Sequence, residues 1–366
     1  MQTGRMGRLP IAAALLIAAA ICALSVLSAF VIRQLTGSPA YGEYTAVELT
    51  GNSGVQVSGN GFVYYNGSTL TAVSSAGDTQ WTYMVGANAS FDAGEDGVAV
   101  WSDQTLTVIS RDQGETMYTG AMDAQLLSAR TGPVYTAALL APEHDSTIVL
   151  IENGGREVDR IELEDVTVLD YGFFSSGSLF WVMTLDTSGT VPTTNISTYR
   201  PGRMIVGSIS DSEQLLYQVM FQSSQVVCAG TTHLKVFDYT GREIPEKSFL
   251  TYGWYLAAVE DVSDDPMMAF VPDAQYGADG QMRDVRMLRS DVDRIVRMPY
   301  ACETLVAKKD RVYGFSADGH VMVARPDVQS VDAYLLETPS GQVCGVTDDR
   351  RAVLVSGEMA YLVSLP

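Results

Sequence analysis

Gly61-Phe62-Val63-Tyr64-Tyr65-Asn66-Gly67-Ser68-Thr69-Leu70-Thr71-Ala72-Val73, followed by Gly77 and Trp81, is the stretch that decides the fold. Two short runs of β-branched and aromatic residues flank an Asn-Gly pair. Asn-Gly suits a tight hairpin because both residues tolerate positive φ. The pattern returns in Gly97-Val98-Ala99-Val100-Trp101, Asp103-Gln104, Thr105-Leu106-Thr107-Val108-Ile109, then Gly114 and Tyr118. Leu70 to Leu106 is 36 residues and Gly77 to Gly114 is 37. Self-similarity at that period means units that stack or radiate, each too small to bury its own apolar face. Short strands with glycine turns at this spacing point to the blades of a β-propeller.

Working outward, the alternation places the second strand of successive blades near Phe62, Val98, Val134, Leu179, Val226, Met267, Val312 and Ala352. The third strand starts near Leu70, Leu106, Ile148, Met204, Leu234, Val285, Val321 and Ala360. Blades three, four and six then carry long hairpin insertions, at Leu139 to Asp145, Thr187 to Arg203 and Pro272 to Asp284. Loops of such length inside a compact domain are functional or mobile. Eight units of about 40 residues each fit the chain; seven is the alternative if one weak unit is only an insertion. The chain ends Tyr361-Leu362-Val363-Ser364-Leu365-Pro366, with no residues for a last fourth strand. The unmatched run Glu43 to Thr50 (EYTAVELT) is expected to supply it and close the ring, removing an exposed edge.

Leu70-Thr71-Ala72-Val73-Ser74-Ser75-Ala76-Gly77-Asp78-Thr79-Gln80-Trp81 resembles the PQQ-type repeat, whose blades run Leu-x-Ala-x-Asp-x-x-Gly-x-x-x-Trp. The match is close in one blade and partial in others, where Tyr118 or Pro245 takes the tryptophan position. The resemblance extends loosely over 44–366. It implies a quinoprotein-like or WD-like propeller in which the tryptophan docks on the neighbouring blade. It implies no cofactor, because the acidic, metal-binding and quinone-stacking residues of the quinoprotein enzymes have no counterpart that can be placed here. The layout is also similar to membrane-anchored propellers of unknown function in Gram-positive bacteria.

Leu9 to Ile32 is 24 residues without a charge. As a helix it would be about 36 Å long, enough for a bilayer core of about 30 Å. A cleaved signal peptide would have a shorter apolar run followed by a small-x-small site, and none follows here. Arg5 and Arg8 precede the run and Arg33 alone follows it, so the positive-inside rule puts the N-terminus in the cytoplasm. The expected organisation is a cytoplasmic N-terminus at 1–8, a transmembrane helix at 9–32, a linker at 33–43 and an extracytoplasmic propeller at 44–366. The expected location is the cell membrane, as a single-pass protein.

The chain has a formal charge of −20, from 43 acids against 23 lysines and arginines. Such acidity argues against nucleic acid as a partner. Cys22 falls in the apolar run, leaving Cys228, Cys302 and Cys344 in the domain. That odd number, with no CxxC, makes buried free thiols the default. A bridge between Cys302 and Cys344 is conceivable, each preceding a blade-like repeat in a comparable place.

No catalytic, cofactor-binding or metal-binding residue is assigned, and the ligand-binding residues are left unknown. His144 falls in a loop, while His233 and His320 fall in equivalent hairpins of different blades, too scattered to converge on a metal. The acids at Asp92 to Asp96, Asp261 to Asp265 and Asp348-Asp349 lack the spacing of a calcium loop and read as turns. No G-x-S-x-G or Walker motif is present. Tyr252, Trp254 and Tyr255, or Phe173, Phe174, Phe180 and Trp181, could form a sugar or peptide platform, but aromatic clusters in strands more often pack blades. Asn66, Asn88 and Asn195 begin sequons that read as turn chemistry. The expected function is non-catalytic binding or scaffolding of a protein or cell-envelope polymer. The alternative is an enzyme, a quinoprotein-like oxidoreductase or a hydrolase, with its site in the central channel. Contacts are expected in the insertions, which carry Tyr199, Arg200, Arg203, Tyr276 and Arg283.

Overall fold

The computed structural model describes residues 40–141, 145–174, 177–203, 205–222, 225–260, 265–273 and 281–366. They form eight sheets, antiparallel but for one short added strand, arranged as the blades of an all-β propeller. Blades 1 to 6 occupy 54–84, 90–121, 125–163, 166–211, 216–250 and 254–297 in chain order. Blade 7 is 304–336, and blade 8 takes three strands from 342–364. The expected membrane span at 9–32 lies outside the described residues; among those described, no helix is long and apolar enough to cross a membrane.

The blades form where the sequence is doubly apolar. In blade 1 the strand Gly61–Tyr65 is buried at every position. Successive side chains of a strand point to opposite faces, so both faces must be covered. Val63 and Tyr65 pack with Val98, Val100 and Ile109 of blade 2, while Phe62 and Tyr64 pack with Val353 and Leu362 of blade 8. The same division holds around the ring, with an apolar cluster at each blade interface. Outer strands touch little beyond the blade rim and alternate instead, as in Thr79–Met84, where Trp81 alone is buried.

Ring closure follows the sequence expectation. The strand Tyr44–Glu48 pairs antiparallel with Met359–Ser364, from Tyr44 opposite Val363 to Glu48 opposite Met359. The amide of Leu49 extends the ladder to the Glu358 carbonyl at 2.8 Å, and its side chain, 1% exposed, plugs the interface between blades 8 and 1. Just before it, Ala40–Tyr41 pairs in parallel with Leu335 and Leu336 on the outer strand of blade 7. Ala40 and Tyr41, within the expected linker at 33–43, are therefore part of a sheet.

Three expectations change. The third strand of blade 4 is Thr193–Tyr199, not a segment starting at Met204, which lies outside the described residues. Its buried face is Thr194, Ile196 and Thr198, too polar to announce a strand in the sequence. The insertion expected at Thr187 to Arg203 thus contains a strand, and the hairpin loop itself is only 187–192. The insertion expected at Leu139 to Asp145 is also short, because the second strand of blade 3 runs to Ala141 and the third begins at Ser146. Only the blade 6 loop, between Met268–Pro272 and Asp284–Arg289, keeps its expected length, with 274–280 outside the described residues. Finally, Cys302 and Cys344 are free and sit in the 6–7 and 8–1 interfaces, so they do not pair.

Candidate binding surface

The meander sorts the loops into two ends. At one end lie the hairpins joining second to third strands and the crossovers between blades; we call it the crossover end. At the other lie the turns joining first to second and third to fourth strands. Among the described residues, every charge in the crossover-end loops is an acid except Arg283. Examples are Asp103, Glu164, Glu213, Glu303, Glu337 and Glu358. The opposite end mixes signs, with Arg111, Arg156, Arg242, Lys247, Lys309 and Arg350 among its acids.

Two features stand at the crossover end. The first is a half-open cavity of about 500 Å³ between blades 7 and 8. The hairpin 316–319 and the crossover 337–341 frame it, and Glu303 and Thr304 border it from the crossover into blade 7. Its floor is apolar, from Phe315, Leu336, Val343 and Leu354. No lysine or arginine lines it. His320, on its wall, stacks on Tyr300 with ring centroids 3.9 Å apart and planes 15° from parallel. Its Nδ1 lies 3.0 Å from Asp318 Oδ1. The second feature is apolar exposure around the crossover from blade 5 to blade 6. Tyr252 is 63% exposed, Leu250 62% and Tyr255 45%, and Leu215 on the preceding crossover is 42% exposed. Tyr255 leans toward Asp273 at the base of the blade 6 loop, with 3.5 Å between its hydroxyl and Oδ2.

A polar network crosses the innermost strands of blades 2 to 4. Arg130 donates to Asp170 Oδ1 at 2.6 Å and to the Tyr171 carbonyl, with its guanidinium 5.2 Å from the Tyr171 ring centroid. The Tyr171 hydroxyl meets Ser128 Oγ at 2.7 Å. Burial pushes the Tyr171 phenol up to about 12. Burial also raises Asp92, and the nearby Arg130 only partly offsets it. At the opposite mouth, burial raises Glu95, and the neighbouring Asp348 adds to the effect, while Lys308 pairs with Asp348 at 2.9 Å. Arg130, Asp170, Tyr171 and Ser128 thus bind and orient one another, as do Lys308 and Asp348.

The residues singled out in the sequence fall as follows. His233 and His320 do sit at equivalent hairpins of blades 5 and 7, well separated around the ring, and His144 lies outside the described residues. His320 is stacked and mostly buried. Among the described residues no three histidines, cysteines or acids are grouped to hold a metal. Of the acids read as turns, Glu95, Asp96, Asp348 and Asp349 do lie in turns or bends, whereas Asp92 stands on the innermost strand of blade 2, Ser90–Ala93, and 261–264 lie outside the described residues. Phe174, Phe180 and Trp181 pack blades; Tyr252 and Tyr255 depart from that packing expectation by facing outward. Of the expected contact residues, Tyr199 is a half-buried strand residue. Arg200 and Arg203 fall at the opposite end, Tyr276 lies outside the described residues, and Arg283 donates to the Pro299 carbonyl at 3.2 Å.

Neither a family model nor a curated protein matches the sequence. Solved structures do. The C-terminal WD40 domain of Sif2 is similar with a TM-score of 0.59, at 11% identity, covering 90% of this chain and 100% of that one. Sqt1 of Saccharomyces cerevisiae gives 0.56 at 11% identity over 90% and 100%. BamB of Moraxella catarrhalis gives 0.53 at 12% identity over 88% and 98%. The likeness is one of fold. The chain is a propeller of the architecture shared by BamB and WD40 domains.

Proposed function

We propose that this protein is a non-catalytic binding or scaffold module, held at the outer face of the cell membrane by residues 9–32 with 1–8 in the cytoplasm. Its partner is a protein or a cell-envelope polymer. The carrying observation is the exposure of Tyr252, Tyr255, Leu250 and Leu215 around one crossover of a rigid, closed ring. Exposed aromatic and aliphatic residues on a fixed scaffold mark an interaction site more than any core role. The propeller architecture is compatible with that use. The PQQ-type repeat and the membrane-anchored propellers of Gram-positive bacteria are the relatives we propose for it. The charge-free run at 9–32 supports the anchor. Six residues lie between Arg33 and Ala40, and the seven Cα steps reach at most about 25 Å, so an anchored blade 7 rim stays near the bilayer. Among the described residues, Arg130, Asp170, Tyr171 and Ser128 on the innermost strands bond to one another, which supports a structural use of these groups over the enzyme alternative.

Protease added to intact, wall-free cells is expected to digest the propeller and leave the span behind. Full protection would overturn the orientation, and a mature chain starting after residue 33 would overturn the anchor. In-cell crosslinking should capture a neighbour that Tyr252→Ser with Tyr255→Ser loses while the fold is kept. Capture unaffected by that pair would remove this crossover as the contact.

A further inference from the structure

We propose that the cavity between blades 7 and 8 receives a lysine or arginine side chain from a basic polypeptide segment docked on the crossover end. The inference rests on the binding-module reading and adds the chemistry of the partner.

The cavity is shaped for an amphipathic side chain. Its floor of Phe315, Leu336, Val343 and Leu354 is apolar, and its rim of Ser316, Thr338, Ser340 and Gln342 is polar and uncharged. Lysine and arginine bury a hydrocarbon stem against such a floor while the charged head stays at a polar rim. Glu303 supplies the only carboxylate among the lining residues, and no lining cation competes for it. At about 500 Å³ the space exceeds one side chain, so flanking backbone can enter as well.

Charge complementarity chooses the occupant. The loops surrounding the cavity at this end carry acids, and the lone described arginine, Arg283, is held by Pro299 and Gln281 outside the lining. Like charges facing each other across an interface cost several kcal/mol, so an acidic partner is excluded from this end and a basic one is steered to it. The opposite end, with its arginines and lysines interspersed, offers no such selectivity. The hairpin beside the cavity is held by local bonds: Ser316 Oγ accepts from the His320 amide at 3.0 Å, and Gly319 N donates to Ser316 O at 3.1 Å. With His320 stacked on Tyr300, the wall is preorganised and little ordering is required on docking.

The test uses the purified full chain in nonionic detergent and a fluorescein-labelled nonalysine peptide, with nonaglutamate as control. Binding is expected for nonalysine alone and should weaken between about 50 and about 300 mM salt. Glu303→Gln and Ser340→Arg, both at exposed positions, should each weaken it about fivefold to tenfold. Asp112→Asn with Glu115→Gln, exposed acids at the opposite end, should change it by less than about twofold. A benzophenone at the peptide terminus should crosslink within 303–343. Absence of binding overturns the proposal. So does an equal loss from the opposite-end pair, or crosslinks spread over both ends, since either means diffuse attraction to an acidic protein. If nonalysine fails while cellular crosslinking still captures a neighbour through Tyr252 and Tyr255, the cavity proposal falls and the binding-module reading stands.

Discussion

Lys235→Met should destabilise the protein in a pH-dependent way that reports a buried ion pair between blades 4 and 5. Lys235 Nζ lies 2.8 Å from Asp211 Oδ2. The Asp211 side chain is 1% exposed and the Lys235 side chain 11%. Asp211 Oδ1 accepts from the amides of Glu213 at 2.8 Å and Gln214 at 3.2 Å. Methionine would fill the space of the lysine stem, so the loss is electrostatic rather than a cavity. Glu213 and Glu243, which also approach the ammonium, are 82% and 36% exposed and can return to water. The cost then falls on Asp211, a charge left buried with backbone donors on one oxygen only. Removing one partner of a buried pair costs about 3–5 kcal/mol, which lowers a urea midpoint by about 1 M for a domain of this size. Burial alone would raise Asp211, but Lys235 and the backbone amides outweigh it and hold the carboxyl below its ordinary 3.8. Its contribution is therefore present above that value and lost as pH falls through the folded value. Burial would lower Lys235, but Asp211 and Glu213 raise it above its ordinary 10.5. Its contribution is present below 10.5 and lost as pH rises through the folded value. The pair stabilises the fold between those limits. In the methionine variant Asp211 protonates more readily, so the midpoint gap between variant and wild type should close by more than half at pH about 3.5. Adding Asp211→Asn should restore most of the neutral-pH loss. Tryptophan fluorescence against urea at the two pH values measures both. A gap below about 1 kcal/mol near neutrality, or one that does not change with pH, refutes the reasoning.

Ring closure and thiol burial make two further predictions. A chain lacking 44–50 loses the pairing partner of Met359–Ser364 and the Leu49 plug, so it should aggregate or melt much earlier than the intact chain in light scattering against temperature; equal stability would mean that the ring closes some other way. Burial raises all three propeller thiols, Cys344 to about 11 and Cys302 to about 12. Cys228 is buried completely. Iodoacetamide at mildly alkaline pH should modify partly buried Cys344 slowly and the other two only on unfolding, as read by mass spectrometry; equal rates at Cys302 and Cys344 would contradict the packing.

What could be read from the sequence, and what could not, follows from where each residue finds its partners. The second and third strands of blade 1 were legible because both faces are buried by neighbouring blades, which forces runs such as GFVYY. Trp81 was legible through its fixed spacing from Gly77, and the structure shows the use of that spacing. Its indole donates to the Arg111 carbonyl of blade 2 at 2.7 Å. The ring also lies where a Cβ on Gly114 would sit, 2.6 Å away, at a φ of +69° that already favours glycine. Tyr118 repeats the contact over Gly155 in blade 3; Pro245 does not, standing instead in a short 3₁₀ turn. Thr193–Tyr199 was illegible because threonines serve its buried face. The cavity was illegible for a deeper reason. Its rim is Ser316, Thr338, Ser340 and Gln342 from two blades, small or polar residue types that along the chain signal only a turn or an exposed strand end. Its acidity is also invisible along the chain, because acids recur throughout and distinguish nothing until the meander assigns each loop to an end. Once Asp103, Glu164, Glu303 and Glu358 are placed at one end and Arg111, Arg242 and Lys309 at the other, a net charge that meant only solubility becomes a direction. That direction is what a basic partner would follow to the cavity beside Glu303.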